Sequence, residues 1–189
     1  MALMSRLRAS SPAIDVVLQR NYGLYTLGSS ISLFGMWAHK LAAAWLAWQL
    51  TQSSLWVGAV AFCDLLPTVF LAAYAGVMAD RYDRRLITLI SQFLGMLQAF
   101  ALGWLMLSGR MTGPEDIWWL LGLTTFLGTV WAFNTAARLS MVPNLVEHRF
   151  IPPAIAINSI IFNLARIIGP AIAGFVMVRW GVGEAFIFN

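Results

Sequence analysis

Long apolar runs broken by short polar clusters set the pattern of this chain, and the run lengths are those of membrane-spanning helices. A spanning helix needs about 20 mostly apolar residues, and residues 22–50, 55–79, 86–108, 117–137 and 154–178 each supply such a stretch. A further run starts near Glu184 and stops at Asn189, and at roughly 1.5 Å of rise per residue this stub is too short to cross a bilayer. The pattern predicts an all-α membrane protein with five full transmembrane helices and a truncated sixth, preceded by a segment over residues 1–21. Arg6, Arg8, Ser10, Ser11, Pro12 and Asp15 interrupt that segment, so it lacks the apolar core of a cleavable signal peptide. The first span then acts as the insertion signal.

Composition agrees. Hydrophobic residues make up 60% of the chain and charged residues 11%, with a mean hydropathy of +0.75, against about 25% charged in soluble domains. The pI of about 9.8 does not imply nucleic acid, because the basic residues sit between apolar spans instead of forming a stripe on one face. Arg6, Arg8, Arg20, Arg81, Arg84, Arg85, Arg138 and Arg149 fall on one side of the spans and only Arg110 and Arg179 on the other. Basic residues are retained in the cytoplasm, so the N-terminus is predicted to be cytoplasmic. Trp118, Trp119 and Trp180 then fall at the outer interface, where amphipathic rings act as anchors.

The connections narrow the picture. Residues 51–54 form a short polar outer turn, and residues 109–116 form a second one rich in Gly and Pro. Residues 138–153 form a longer inner connection ending in Pro152-Pro153, which suits a helix start. Between the second and third spans stands Gly76-Val-Met-Ala-Asp80-Arg81-Tyr-Asp83-Arg84-Arg85. Gly76 and Asp80 are four residues apart and share a helix face. A carboxylate near a helix C-terminus is disfavoured by the macrodipole, so Asp80 needs a positive partner, which Arg81, Arg84 or Arg85 can supply.

This run resembles motif A of the major facilitator superfamily, with Asp83 where many members have Gly. A second likeness covers residues 134–174, from Asn134 through Arg138-Leu-Ser-Met-Val-Pro143 to Asn158, Asn163, Arg166, Gly169-Pro170 and Gly174. It is similar to the branch of enterobactin and macrolide exporters. Gly35-Met-Trp37 and Trp45-Leu-Ala-Trp-Gln-Leu-Thr51 resemble the first helix of that branch. The likeness implies the N-terminal six-helix half of a twelve-helix fold, in a bacterial inner membrane. In that family a Gly-Pro pattern in helix five is called the antiporter motif, and Gly169-Pro170 with Gly174 matches its core. Ala165, Gly169 and Ala173 also form a small-residue stripe, so ordinary helix packing and conformational exchange both remain open.

Ionisable groups within spans are functional candidates with partners to be found. Lys40 precedes the outer turn between the first two spans about as far as Asp64 follows it, so the two are predicted to pair inside the bundle with His39 beside them. Arg166 falls near the midplane of the fifth span. As functional groups, Asp64 and His39 are proton-linked while Lys40 and Arg166 tune them or meet an anionic substrate. As structural groups, Lys40 with Asp64, and Arg166 with Asn163 or helix-end carbonyls, hold the bundle together.

No Walker loop, zinc motif or catalytic triad is visible, and the lone Cys63 excludes a disulfide framework. The sequence predicts neither an enzyme nor a cofactor or metal. It predicts a secondary transporter, a proton-coupled exporter of a drug or siderophore, whose partners are the bilayer, a small-molecule substrate and a missing half. That half is the rest of a longer chain or a second copy, in which case Gly76 and Asp80 would meet a neighbour's Ala165–Gly169–Ala173 stripe. The alternative is a non-transporting scaffold subunit that keeps the half-fold within a larger complex.

Overall fold

The computed structural model describes residues 12–187, so expectations for residues 1–11 and for 188–189 at the end of the stub lie outside the described residues. The described residues are helical nearly throughout. A short helix α1 (Pro12–Val17) leads into α2 (Arg20–Thr51), α3 (Ser54–Arg81), α4 (Arg84–Leu107), α5 (Ile117–Leu145), α6 (Ile151–Arg179) and a short α7 (Val182–Ile187). The segments Ser54–Arg81, Arg84–Leu107, Pro114–Leu145 and His148–Arg179 are long and apolar enough to cross a membrane. With 32 residues α2 is as long, but Ser29, Ser30, Ser32, His39 and Lys40 dilute its apolar character and it stands outside that set.

The turn between α2 and α3 is tight because Gln52 adopts a left-handed φ of 50° and returns its N–H to the Trp48 carbonyl at 2.8 Å. At the far side of α4, Gly109 takes a φ of 68°, and Asp116 accepts the N–H groups of Thr112 at 2.9 Å and Gly113 at 3.0 Å, closing the turn before α5. Trp118 and Trp119 are exposed there, Trp56 meets Trp118 at 5.5 Å, and Arg110 lies over Trp104 at 5.0 Å. Aromatic rings gather in this way where a helix bundle leaves the apolar phase.

The sequence ends the fourth span at Ala137 and opens a loop at Arg138, but α5 continues to Leu145. The extra turns are held by neighbours: Arg138 Nη2 donates to Ser29 Oγ, and Arg84 Nη1 donates to the Ser140 carbonyl at 2.9 Å. With protein partners these polar residues need no aqueous loop.

Helix α3 packs chiefly on α5, α2 on α6, and α4 on α5 and α7. One buried cluster, including Ala43, Leu46, Val60, Leu102, Leu120 and Phe186, fills the end near the Gly109 turn. A smaller one at the end carrying Arg81–Arg85, called here the basic end, joins Val16, Tyr22, Val142 and Ala154, with the Tyr22 hydroxyl donating to the Ala154 carbonyl at 2.9 Å. Val69, Phe70, Ile167, Phe175 and Val178 are exposed. Large apolar side chains of this kind face lipid tails or another helix layer without cost.

Candidate functional site

The ion pair between Lys40 and Asp64 is formed, with Nζ 2.6 Å from Oδ2. Both groups project from mid-helix, Lys40 from α2 and Asp64 from α3, and the turn at Gln52 brings them to one level. Trp37, one turn before Lys40, organises the surroundings. Lys40 lies 5.4 Å from its ring centroid, Arg166 5.6 Å and the Phe162 ring 5.7 Å. Cations over an indole face gain electrostatic attraction in a poorly hydrated site. Arg166 therefore takes Trp37 as its partner in place of Asn163, whose amide donates to the Ser159 carbonyl at 2.8 Å. Trp37 enters the sequence reading only through the Gly35-Met-Trp37 resemblance, with no role at this site; the local signal for that role is its spacing of three residues to Lys40.

A cavity of about 260 Å³ opens beside the pair, lined by Trp37, His39, Lys40, Asp64 and Thr124. His39 and Leu127 also border a cavity of about 230 Å³ that reaches Ser32 and Gln92, which share a hydrogen bond of 2.7 Å from Gln92 Nε2 to Ser32 Oγ. His39 is buried, packs its ring on Phe186 at 5.0 Å, and has no hydrogen-bond partner for either ring nitrogen among the described residues. Met36 and Trp131 separate the second cavity from a third of about 330 Å³, lined by Arg138, Asn158, Phe162 and Asn163. Asn134, one turn before Arg138, is buried with both amide atoms unpaired among the described residues. Buried polar groups left in this state are sites for water or ligand.

At the basic end the motif residues divide. Arg84 donates from Nε to the Ala79 carbonyl at 3.1 Å and from Nη1 to Ser140 on α5, so it ties the α3–α4 turn to a neighbouring helix. Its contact with Asp80 is long, 3.8 Å, and Asp80 is exposed, so this pair adds little. Arg81 and Arg85 are exposed and make no side-chain hydrogen bond among the described residues. Asp83 caps α4 by accepting the Arg85 N–H at 2.8 Å, which gives the departure from Gly a physical reason. A Cβ added at Gly76 would meet nothing within 4 Å.

Helix α6 corrects one expectation. Ala165, Gly169 and Ala173 are buried within this chain. A Cβ at Gly169 would lie 2.7 Å from Trp37 Cβ and 2.9 Å from the Phe34 carbonyl oxygen, so this face is already filled by α2 and is closed to a neighbour's Gly76 and Asp80. Depth opposes the contact too: Gly76 lies roughly 7 Å from the basic end of α3 and Ala173 roughly 33 Å from the basic end of α6. Two copies in the same orientation cannot bring them together. Gly174 points into open space. Pro170 lies within α6, and its missing N–H leaves the Arg166 carbonyl without a helical donor. Among the described residues no three His, Cys, Asp or Glu side chains converge as a metal site.

Three comparisons bear on the whole. A family model described as transmembrane secretion effector matches residues 18–189. The chain is 30% identical over 167 residues to the staphyloferrin A transporter of Staphylococcus aureus (strain NCTC 8325 / PS 47), a match that covers 86% of this chain and 41% of the relative. It is 28% identical over 170 residues to the uncharacterized MFS-type transporter YfiS of Bacillus subtilis (strain 168), covering 88% and 39%. The chain thus spans about two-fifths of the length of these curated relatives. No solved structure matches it.

Proposed function

Because this chain belongs to the transmembrane secretion effector family of major facilitator transporters, we propose that it forms the N-terminal half of a proton-coupled exporter of a small molecule. The family is one of transporters, not enzymes. In this proposal the chain couples efflux to protons, lies in the inner membrane with its N-terminus in the cytoplasm, crosses it with five full spans and part of a sixth, and has its cavity closed by a second half. The name of one relative, a staphyloferrin A transporter, supports carriage of a solute.

The Lys40–Asp64 pair carries the proposal. A proton on Asp64 cancels the attraction and frees the ammonium beside the cavity, so the pair has two electrostatic states. A two-state element biased by proton binding on one side and solute on the other is what coupling requires. Rocking of two half-bundles about a midplane site would convert that bias into transport.

The test is reconstitution of the chain, together with the second half-bundle that closes its cavity, in proteoliposomes carrying a pH-sensitive dye. Export driven by a pH gradient is expected, and Asp64→Asn should abolish solute-evoked proton movement while circular dichroism shows the helices intact. Coupling that survives the substitution overturns the proposal. A folded chain that moves no solute even with its second half present favours the scaffold reading.

A further inference from the structure

The carboxylates of this chain are distributed in a way that leaves the two arginines placed well inside α5 and α6, Arg138 and Arg166, without ion-pair partners among the described residues. Asp15, Asp80, Asp83 and Glu147 lie toward the basic end, and Glu115, Asp116 and Glu184 toward the other. Asp64 is the one carboxylate in the middle of a long helix, and Lys40 takes it. Arg138 and Arg166 make no ion pair among the described residues. Their partners are neutral: Arg138 Nη2 donates to Ser29 Oγ while its Nε is buried with no acceptor, and Arg166 lies over Trp37.

A guanidinium does not lose its charge in proteins, and an uncompensated one within a membrane span is costly; Arg138 is half-buried with a buried Nε, and Arg166 is exposed on its helix. One of them borders a cavity, and the other stands one helical turn from its wall. Arg138 lines the cavity of about 330 Å³ together with Trp131, Thr135, Asn158, Phe162 and Asn163. Arg166 stands one turn beyond Phe162, and both side chains meet Trp37. The volume suits a compact small molecule, the two asparagines supply amide dipoles, and the guanidinium fork matches an oxyanion in bidentate geometry.

We infer that this cavity binds a small molecule bearing carboxylate or phosphate groups, whose oxyanions are the missing counter-ions of Arg138 and Arg166. The inference rests on the transporter reading and names the substrate class of its site.

The test is calorimetric titration of the chain in phosphatidylcholine nanodiscs with tricarballylate, glycerol 3-phosphate and the neutral triamide of tricarballylate. The anions are expected to bind and the triamide not, and the tighter anion identifies the oxyanion. Arg138→Gln and Arg166→Gln should each weaken binding roughly tenfold to a hundredfold, and the Lys variants should restore part of it, which separates lost charge from lost fold. Equal binding of the triamide, unchanged binding by both Gln variants, or no binding of either anion at millimolar concentration overturns the inference. Phosphatidylglycerol in the disc that abolishes anion binding assigns the arginines to a lipid headgroup and also overturns it. Absent anion binding in a chain that still couples protons overturns this inference alone, whereas anion binding without transport overturns only the transporter reading.

Discussion

Gly128 on α5 lies directly against the backbone carbonyl of Asp64 on α3, so close that a Cβ at position 128 would overlap it. Asp64 is thus positioned twice, through its side chain by Lys40 and through its backbone by a glycine notch. Gly128→Ala is expected to force the helices apart at the level of the ion pair. Overpacking of this kind costs about 1–3 kcal/mol, so the midpoint of thermal unfolding should fall and proton coupling weaken. Gly122→Ala, where a Cβ meets nothing within 4 Å, replaces a helical glycine without a clash and should be neutral or stabilising by up to about 1 kcal/mol.

The ion pair itself predicts asymmetric mutational costs. The Asp64 side chain is 13% exposed and that of Lys40 33%. Removing one member of a buried pair strands the other and costs about 3–5 kcal/mol, whereas replacing both by apolar groups is often neutral. Because the pair borders a cavity that water can enter, the lower end of that range applies. Lys40→Met should therefore melt earlier than the double variant Lys40→Met/Asp64→Leu. Equal melting of the two would mean that the pair contributes no structural coupling.

How much of this is legible in the sequence follows from what each feature depends on. The long helices depend on run length, and the pairing of Lys40 with Asp64 depends on two residues equally far from a short turn, so both can be read along the chain. The roles of Trp37, Gly128 and Gly169 depend on which helices face each other, α2 on α6 and α3 on α5. Nothing in a glycine's own neighbourhood tells a notch from an open face. The end of α5 is misread for a related reason, since Arg138 and Ser140 read as loop until Ser29 and Arg84 are placed beside them.

The two glycines of the helix-five motif are expected to separate in experiment. Gly169→Ala drives a methyl group into the α2 backbone near Phe34 and Trp37 and should lower stability by about 1–3 kcal/mol. Gly174→Ala meets open space and replaces a helical glycine, so it should be neutral or stabilising by up to about 1 kcal/mol. Any loss of transport in Gly174→Ala with raised stability would report on a conformational step and not on folding. Circular-dichroism melts beside a transport assay distinguish the two.

The arginines of the α3–α4 turn should likewise divide. Arg84→Ala removes donors to the Ala79 and Ser140 carbonyls, each bond to a charged donor being worth about 1.5–3 kcal/mol, and should loosen the turn, seen as faster amide exchange at residues 79–84. Arg85→Ala and Arg81→Ala should leave exchange unchanged and act on membrane topology or lipid binding. Asp83→Ala removes the cap on α4 at about 0.5–2 kcal/mol.

The remaining prediction concerns what meets the open face at Gly76. Ala173 is excluded by burial and depth, so a cysteine there should not cross-link to one at position 76. In a partner bundle of the same orientation, the α6 residues level with Gly76 lie near position 156, roughly 7 Å from that helix's basic end. Ala156 is exposed and small, beside exposed Ile155 and Ser159, so a helix backbone can approach there closely. If two copies pair through α3 and α6, Gly76→Cys with Ala156→Cys should give an oxidised dimer on gels after mild oxidation, in a Cys63→Ser background, and Gly76→Cys with Ala173→Cys should not. The pattern is a test of depth as well as of contact, because cysteines that meet must satisfy a Cα separation below about 7 Å. A cross-link at 173 would require either antiparallel copies or an α6 rotated away from α2. Either result would contradict the close approach of Gly169 to Phe34 and Trp37 or the shared orientation of the two bundles.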